Sequence, residues 1–271
     1  MKNTDLHTHN IMCGHAEERI EAYVKAAIEK DITRLGISDH IPFPDNRLKF
    51  YPGSNSNFQI RMDYSELPDY FKEYFEIKNK YSNKIKLNLG LEAEYYKEFD
   101  EYYDYLLETC DYLIGSVHNI YYNHNNLFFY GENVKLDHFK LYRDKMIELI
   151  ESKIFSFVAH PDLFFTSYYG EFDYKIEDIC IEIAKSAKSF NIPLEINVSG
   201  YRKNSIIEDS GTERFIYPFE PFWEVASRYD CQVIINSDSH KPLDVGRLFD
   251  KGYDLADKYN LKEVKSLPFF D

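Results

Sequence analysis

The sequence has few cysteines and no close pair of them, which excludes zinc ribbons and redox CxxC motifs. It also lacks long apolar runs. No segment approaches the roughly 20 apolar residues of a membrane span, and the first ten residues contain no apolar core of a secretory signal. We therefore expect a cytoplasmic protein in a reducing compartment, with no membrane partner. Cysteine counting alone leaves disulfides open, although nothing in the sequence requires them.

Basic charge is also scarce. The chain has 32 lysines and arginines against 46 aspartates and glutamates, a formal net charge of −14. Such an acidic surplus argues against broad nucleic-acid binding, because phosphates would be repelled. With 271 residues, 44% hydrophobic and 29% charged, the chain has the composition of a soluble globular protein. We expect a single domain over residues 1–271, with a core that needs no disulfides.

Short β-like runs alternate with amphipathic helical stretches along the whole chain. This alternation predicts an α/β fold with parallel strands. A closed barrel and an open doubly wound sheet both fit the pattern, and seven units without a break in composition favour the barrel. Residues 41–62, 120–134 and 199–217 are predicted loops, and the apolar tail 264–269 is predicted to dock. The predicted strands are 4–7, 33–39, 84–94, 112–118, 155–160, 194–197 and 232–236.

Seven of the nine histidines fall at or just after the ends of predicted strands, together with one glutamate and one aspartate. The C-terminal ends of the strands of a parallel barrel open onto one face, so these side chains are expected to converge there. Nine ligands are too many for one ion, and imidazole with carboxylate suits zinc, iron or manganese. We therefore expect two or three divalent metal ions. The candidate ligands are His7, His9, His15, His40, Glu92, His118, His160, Asp238 and His240.

Several motifs resemble those of the PHP (polymerase and histidinol phosphatase) superfamily, and more closely its histidinol-phosphatase branch. The opening stretch HTHNIMCGHA, residues 7–16, matches the HTHxxxCxHA pattern of that branch. The other motifs follow in the order of the family and span nearly the whole chain. They are ISDH at 37–40, GLEAEY at 90–95, GSVH at 115–118, AHPD at 159–162, EINVSGYR at 195–202 and NSDSH at 236–240.

The resemblance implies a distorted (β/α)7 barrel with a trinuclear metal site at the C-terminal ends of its strands. It also implies a division of the ligands among three ions, with Glu92 shared between the first two. In that division the first ion takes His7, His9, Glu92 and Asp238, the second Glu92, His118 and His160, and the third His15, His40 and His240.

The activity that the resemblance implies is hydrolysis of L-histidinol phosphate to L-histidinol and phosphate, a step of histidine biosynthesis. We expect attack on phosphorus by a metal-bridging hydroxide, because clustered dications lower the pKa of bound water. In this interpretation Glu92 sets the spacing of the ions and Asp238 supports the same chemistry. Arg202 is a candidate phosphate clamp, because a guanidinium fork matches phosphate oxygens. A solvated loop arginine is the alternative for that residue.

Two weaker substrate contacts and one supporting residue complete the candidate site. Arg61, in the predicted loop 41–62, could contact the phosphate. Glu17 could meet a substrate amine or be an ordinary acid at a helix start. Asp39, next to His40, could hold a ligand side chain from behind.

Other activities fit the same ligands. A PHP phosphatase of other specificity, acting on phosphotyrosine or a small nucleotide, is the nearest alternative. A 3′–5′ exonuclease is disfavoured by the acidic charge. A non-catalytic metal-binding module is disfavoured by the complete ligand set. The sequence does not specify the metal or the oligomeric state.

Overall fold

The computed structural model describes residues 3–50, 58–122, 125–128 and 134–270. Its main element is a curled sheet of eight strands, all parallel, which lie side by side in chain order. The predicted (β/α)7 barrel is confirmed, with a short eighth strand that the sequence analysis did not include. The strands are β1 (Thr4–Asp5), β2 (Arg34–Ile37), β3 (Lys86–Ala93), β4 (Tyr112–Gly115), β5 (Phe157–Val158), β6 (Leu194–Asn197), β7 (Gln232–Asn236) and β8 (Lys262–Glu263).

Helices connect successive strands and cover the outside of the sheet. Each buries one apolar stripe against it, as the helical spacing of the apolar residues predicts. None of the described helices is long and apolar enough to cross a membrane. The helices are α1 (Ile20–Glu29), α2 (Leu67–Tyr81), α3 (Asp100–Leu107), α4 (Leu136–Glu151), α5 (Tyr174–Phe190), α6 (Glu220–Arg228) and α7 (Phe249–Lys258).

The first and seventh strands meet only at their C-terminal ends. Thr8 forms a parallel bridge with Ser239, and the His9 amide donates to the Ser239 carbonyl over 2.9 Å. Nearer the floor of the barrel, the Asp5 carboxylate accepts from the Ser237 amide, while β8 pairs with the start of β7. Side-chain and rim contacts therefore close a distorted barrel, and they place the residues after β1 beside those after β7.

Five of the seven predicted strands are shorter than predicted, and those at 194–197 and 232–236 have the predicted bounds. Two ligand-bearing residues leave the extended conformation. His160 has a φ of 27° and Asp238 a φ of 46°, so both lie in the left-handed region rather than in a ladder. The helix predicted over residues 244–259 begins only at Phe249 and follows a 3₁₀ turn at Pro242–Asp244.

Two of the predicted loops contain hairpins. Asn119–Tyr122 pairs antiparallel with Asn125–Phe128, and Ile206–Ile207 pairs with Glu213–Arg214. The expectation of plain loops at 120–134 and 199–217 was therefore wrong in part. Polar composition hid the short strands, because their pairing depends on the partner strand rather than on an apolar alternation. Residues 123–124, 129–133 and, within the predicted loop 41–62, residues 51–57 lie outside the described residues.

The predicted docking of the tail is confirmed. Val264 and Leu267 pack in one cluster with the inward side chains of the barrel, among them Tyr112 and Phe157. The ring of Phe269 stacks on Tyr112, with centroids 4.7 Å apart and planes 10° from parallel. The tail therefore fills the floor of the barrel, opposite the rim that carries the histidines.

Leu267→Ala should lower the free energy of unfolding by about 2–4 kcal/mol, because it opens a cavity in this apolar floor. Leu243→Ala is the matched control. Leu243 is 68% exposed, against 5% for Leu267, and its loss should change stability by no more than about 0.5 kcal/mol. Urea denaturation of the two variants measures both values, and equal stability would contradict the docking of the tail.

Candidate metal centre

The structure brings all nine predicted ligand residues to one rim. The alternation of side chains along an extended chain puts His7 and His9 on the same side, directly after β1. His40, His118 and His160 follow β2, β4 and β5. Glu92 lies near the end of β3, Asp238 and His240 follow β7, and His15 follows the 3₁₀ turn at Ile11–Cys13.

One group of ligand atoms surrounds Asp238. Its Oδ1 lies 3.1 Å from His9 Nε2 and 3.8 Å from His7 Nε2, and His7 Nε2 is 3.4 Å from Glu92 Oε2. Ligand atoms that share one tetrahedral zinc ion lie about 3.3 Å apart, since each is about 2.0–2.1 Å from the metal. The arrangement therefore has the spacing of a cation site.

A second group surrounds the other oxygen of Glu92. Its Oε1 is 3.0 Å from His160 Nε2 and 3.3 Å from His118 Nε2. Each oxygen of the carboxylate therefore contacts its own set of imidazoles. His40 Nδ1 belongs to the set around Oε2, at a distance of 3.0 Å. A carboxylate shared in this way can bridge two ions.

A third group lies nearer the mouth of the barrel. The Nε2 atoms of His15 and His240 are 3.0 Å apart, and the His240 ring stacks on His9 with centroids 4.1 Å apart. The His40 ring centroid is 5.3 Å from that of His15. Ligand atoms of His9, His40 and His240 all lie within 4.8 Å of one another, as a bound cation requires.

Carboxylates behind the histidines fix which nitrogen faces the centre. Glu195 contacts Nδ1 of His7 at 2.8 Å, Asp39 contacts Nδ1 of His9 at 3.3 Å, and Glu94 contacts Nδ1 of His118 at 3.0 Å. A carboxylate in this position selects the tautomer whose Nε2 lone pair is available to a metal. The sequence analysis named Asp39 in this role and missed both glutamates. Glu94 carried a signal, because it is two residues from Glu92 on the same face of β3.

Burial and charge set the protonation of the site. Burial opposes protonation of His7, but the negative charges of Glu195 and Glu92 outweigh it and raise its pKa well above the ordinary value. Burial and the positive charge of His9 hold the pKa of His40, and likewise that of His240, well below the ordinary value. The cluster therefore contains neutral imidazoles, which can donate lone pairs.

Three buried polar atoms point into the centre and, in the described part of the chain, their contacts with neighbouring ligand atoms lack the geometry of a hydrogen bond. They are Nε2 of His7, Nε2 of His9 and Oε2 of Glu92. Buried polar atoms are almost always paired, and two imidazole nitrogens with a carboxylate oxygen form a donor set for a divalent transition metal. The residues present therefore fit the metal ions that the sequence predicts.

The predicted substrate contacts occupy different places at the rim. Arg202 Nη2 donates to the carbonyls of Ser237 and Asp238 over 2.7 and 3.2 Å, and its buried Nη1 has no partner among the described residues. Glu17 is exposed and forms an ion pair with Lys241 over 2.6 Å. Arg61 is buried, with Nε, Nη1 and Nη2 bonded to protein oxygens. A substrate contact for any of the three stays a prediction.

A cavity of about 400 Å³ opens over the metal centre. This volume suits a small molecule. Besides histidines, Arg61, Lys203 and Lys241 contribute basic side chains to its wall. Phe58 and Ile60 contribute apolar side chains. The sequence analysis did not name the two lysines, because no spacing signal distinguishes them from other surface lysines.

Comparisons with known proteins agree with this geometry. A family model described as "PHP domain" matches residues 5–199. A Deinococcus radiodurans protein named "Probable histidinol-phosphatase" is 27% identical over 256 residues, which cover 90% of this chain and 89% of that protein.

Two solved structures share the fold. A Listeria monocytogenes structure has a TM-score of 0.75 at 22% identity and covers 92% of this chain and 99% of that one. A Lactococcus lactis histidinol phosphate phosphatase, complexed with zinc, L-histidinol and phosphate, has a TM-score of 0.70 at 20% identity. That match covers 98% of this chain and 97% of the other.

Glu195→Gln should weaken zinc binding about 10–100-fold, because the neutral amide orients and polarises His7 less well than the carboxylate does. Glu224→Gln, on the exposed face of α6, is the matched control and should bind zinc like the parent protein. Zinc retained per chain against a competing chelator measures the effect. If both variants retain equal amounts of zinc, Glu195 does not contribute to zinc binding.

Proposed function

The chain belongs to the PHP domain family, and on that premise we propose that it is a metal-dependent phosphomonoesterase. The proposed reaction is hydrolysis of L-histidinol phosphate to L-histidinol and phosphate. The observation that carries the proposal is the meeting of the nine candidate ligands at one rim, most of them around Glu92 and with His15 beside His240, next to a cavity lined by two lysines. Similarity to the zinc, L-histidinol and phosphate complex from Lactococcus lactis supports the same substrate.

We assign the ligands to three divalent ions, of zinc, iron or manganese, with Glu92 shared between the first two. The contacts of His7 and His160 with Glu92 and of His15 with His240 support this division. His40 is assigned to the third ion because its ligand atom lies within 4.8 Å of that of His240, although it also contacts Glu92. The first ion would take His7, His9, Glu92 and Asp238, the second Glu92, His118 and His160, and the third His15, His40 and His240.

Bound divalent ions would supply an activated water at neutral pH and positive charge against the phosphate oxygens. The chain supplies the rest of the chemistry. Glu195, Asp39 and Glu94 hold the imidazole rings of the ligands in one orientation, so that little reorganisation is needed during the reaction. The buried floor beneath the rings excludes bulk water and strengthens every charge interaction in the site.

The cavity wall would bind the two ends of the substrate differently. Lys203 and Lys241 would attract the phosphate, since both line the cavity together with Asp238 and His240. The ring of Phe58 is 49% exposed beside His15, where it offers an aromatic surface for the imidazole of histidinol. Arg202, Glu17 and Arg61 stay predicted substrate contacts.

The other sequence predictions belong to the same proposal. We propose that residues 1–271 act as one domain in the cytoplasm, on a small phosphomonoester and without a nucleic-acid partner. A phosphatase of this family that acts on phosphotyrosine or a small nucleotide is the alternative, since the ligands alone do not distinguish the ester.

Turnover of L-histidinol phosphate should exceed that of an aryl phosphate, phosphotyrosine and a nucleotide at equal zinc loading. Steady-state kcat/KM values for the four esters measure this preference. His9→Ala is the control against contaminating phosphatases and should lose turnover while keeping its far-UV circular dichroism. Equal kcat/KM for all four esters would contradict the assignment to histidinol phosphate.

Lys203→Gln and Lys241→Gln should each raise KM about 10–100-fold, because a charge-assisted bond to phosphate contributes about 1.5–3 kcal/mol. Zinc content should stay unchanged. Lys262→Gln, an exposed lysine paired with Asp230 far from the rim, is the control and should leave KM unchanged. A KM unaffected by either rim substitution would remove the lysines from phosphate binding.

A further inference from the structure

We propose that Arg61 is a positioning residue for the metal ligand His118 and acts on it through Glu94. This inference rests on the proposed metal dependence but not on the identity of the ester. It assigns Arg61 a task other than the predicted contact with substrate. The contacts run from Arg61, between β2 and α2, to Glu94, directly after β3, and from there to His118, shortly after β4.

All three nitrogens of the Arg61 guanidinium donate to protein oxygens, although the residue also forms part of the cavity wall. Its Nη2 donates to both oxygens of Glu94, over 2.9 and 3.0 Å. Its Nε donates to the Leu48 carbonyl over 2.9 Å, and its Nη1 to the Ile41 carbonyl over 3.1 Å. The residue is only 2% exposed. A guanidinium held in this way fixes the Glu94 carboxylate and has little freedom to turn towards a ligand in the cavity.

Glu94 transmits this constraint to the metal centre. Its Oε1 lies 3.0 Å from His118 Nδ1, while His118 Nε2 on the far side of the ring lies 3.3 Å from Glu92 Oε1. The carboxylate therefore holds the Nδ1 proton, and Nε2 keeps its lone pair for a cation. Glu92 and Glu94 leave β3 on the same face, so one strand supplies both the shared ligand and the group that orients a second ligand.

The charge of Arg61 is needed as well as its shape. Glu94 is buried 3.0 Å from an imidazole and near the equally buried Glu92, and a buried carboxylate without a counter-charge is strongly unfavourable. Arg61 contacts both oxygens of the Glu94 carboxylate, so without Arg61 the carboxylate would lose the contacts that fix its orientation towards His118. A lysine would not replace Arg61, because an ammonium group cannot match two carboxylate oxygens and two carbonyls at once.

The first experiment measures zinc affinity in Arg61→Lys. We expect one ion per chain to bind about 10–100-fold more weakly, as measured by competition with a chelator. The visible spectrum of the cobalt-loaded protein should change, because it reports the ligands and their geometry. At limiting zinc kcat should fall and recover with added zinc, and KM for the ester should stay within twofold. Arg47→Lys, in the same segment and paired with Asp45 and Glu98, is the matched control.

The second experiment tests whether the effect passes through Glu94. Glu94→Gln keeps the volume of the side chain and should weaken the same ion, so it serves even if Arg61→Lys fails to fold. In the double variant the loss of zinc-binding free energy should be smaller than the sum of the losses in the two single variants. Substitutions of residues that act through one another are not additive. Losses that add in full would overturn the proposal.

Two other outcomes would also overturn it. If Arg61→Lys keeps full zinc affinity but raises KM, Arg61 contacts the substrate. If Arg61→Lys lowers stability with unchanged zinc affinity and an unchanged cobalt spectrum, its role is structural only. If zinc binding depends on Arg61 but the protein does not hydrolyse histidinol phosphate, the role of Arg61 in positioning His118 is supported and the proposed function is contradicted.

Discussion

The structure depends on one buried carboxylate. Glu92 is 1% exposed, and such a charge is costly unless cations or polarised groups surround it. Five imidazole rings from four different strand ends meet it: those of His7, His9, His40, His118 and His160. The parallel sheet makes this meeting possible, because only strands with a common direction can deliver their C-terminal residues to one point. The parallel sheet therefore provides the polar neighbours that the buried Glu92 carboxylate requires, and the same neighbours form the candidate metal centre.

Rigidity at this point comes from outside the ring of ligands. Each buried histidine that is held from behind by a carboxylate has one nitrogen fixed and the other directed inward. Glu195 extends this support, since it also accepts from the amide of His160 and from the side chains of Asn197 and Asn236. The support thus reaches across β5, β6 and β7, and a change behind the ligands is felt at several of them.

The sequence was sufficient to predict which side chains meet at the rim, because strand ends can be located from the sequence and residues two apart in an extended chain share a side. It was not sufficient for Glu195 or for the bond between Arg61 and Glu94, since these depend on which strands are neighbours and in what register. The hairpin at Asn119–Phe128 was missed for a similar reason, because short polar strands carry little pattern of their own. Arg202 was placed correctly at the rim, but its bonds to the carbonyls after β7 could not be read from a motif.

The seam between the first and seventh strands has a consequence for biosynthesis. Residues 236–239, which close the barrel against residues 5–9, are added to the growing chain more than two hundred residues after them. A nascent chain can form successive strand–helix units as they emerge, but it cannot complete the cage around His7 and His9 until Asp238 is available. A chain that stops before Asp238 therefore lacks the carboxylate that lies 3.1 Å from His9 and cannot form this group of side chains.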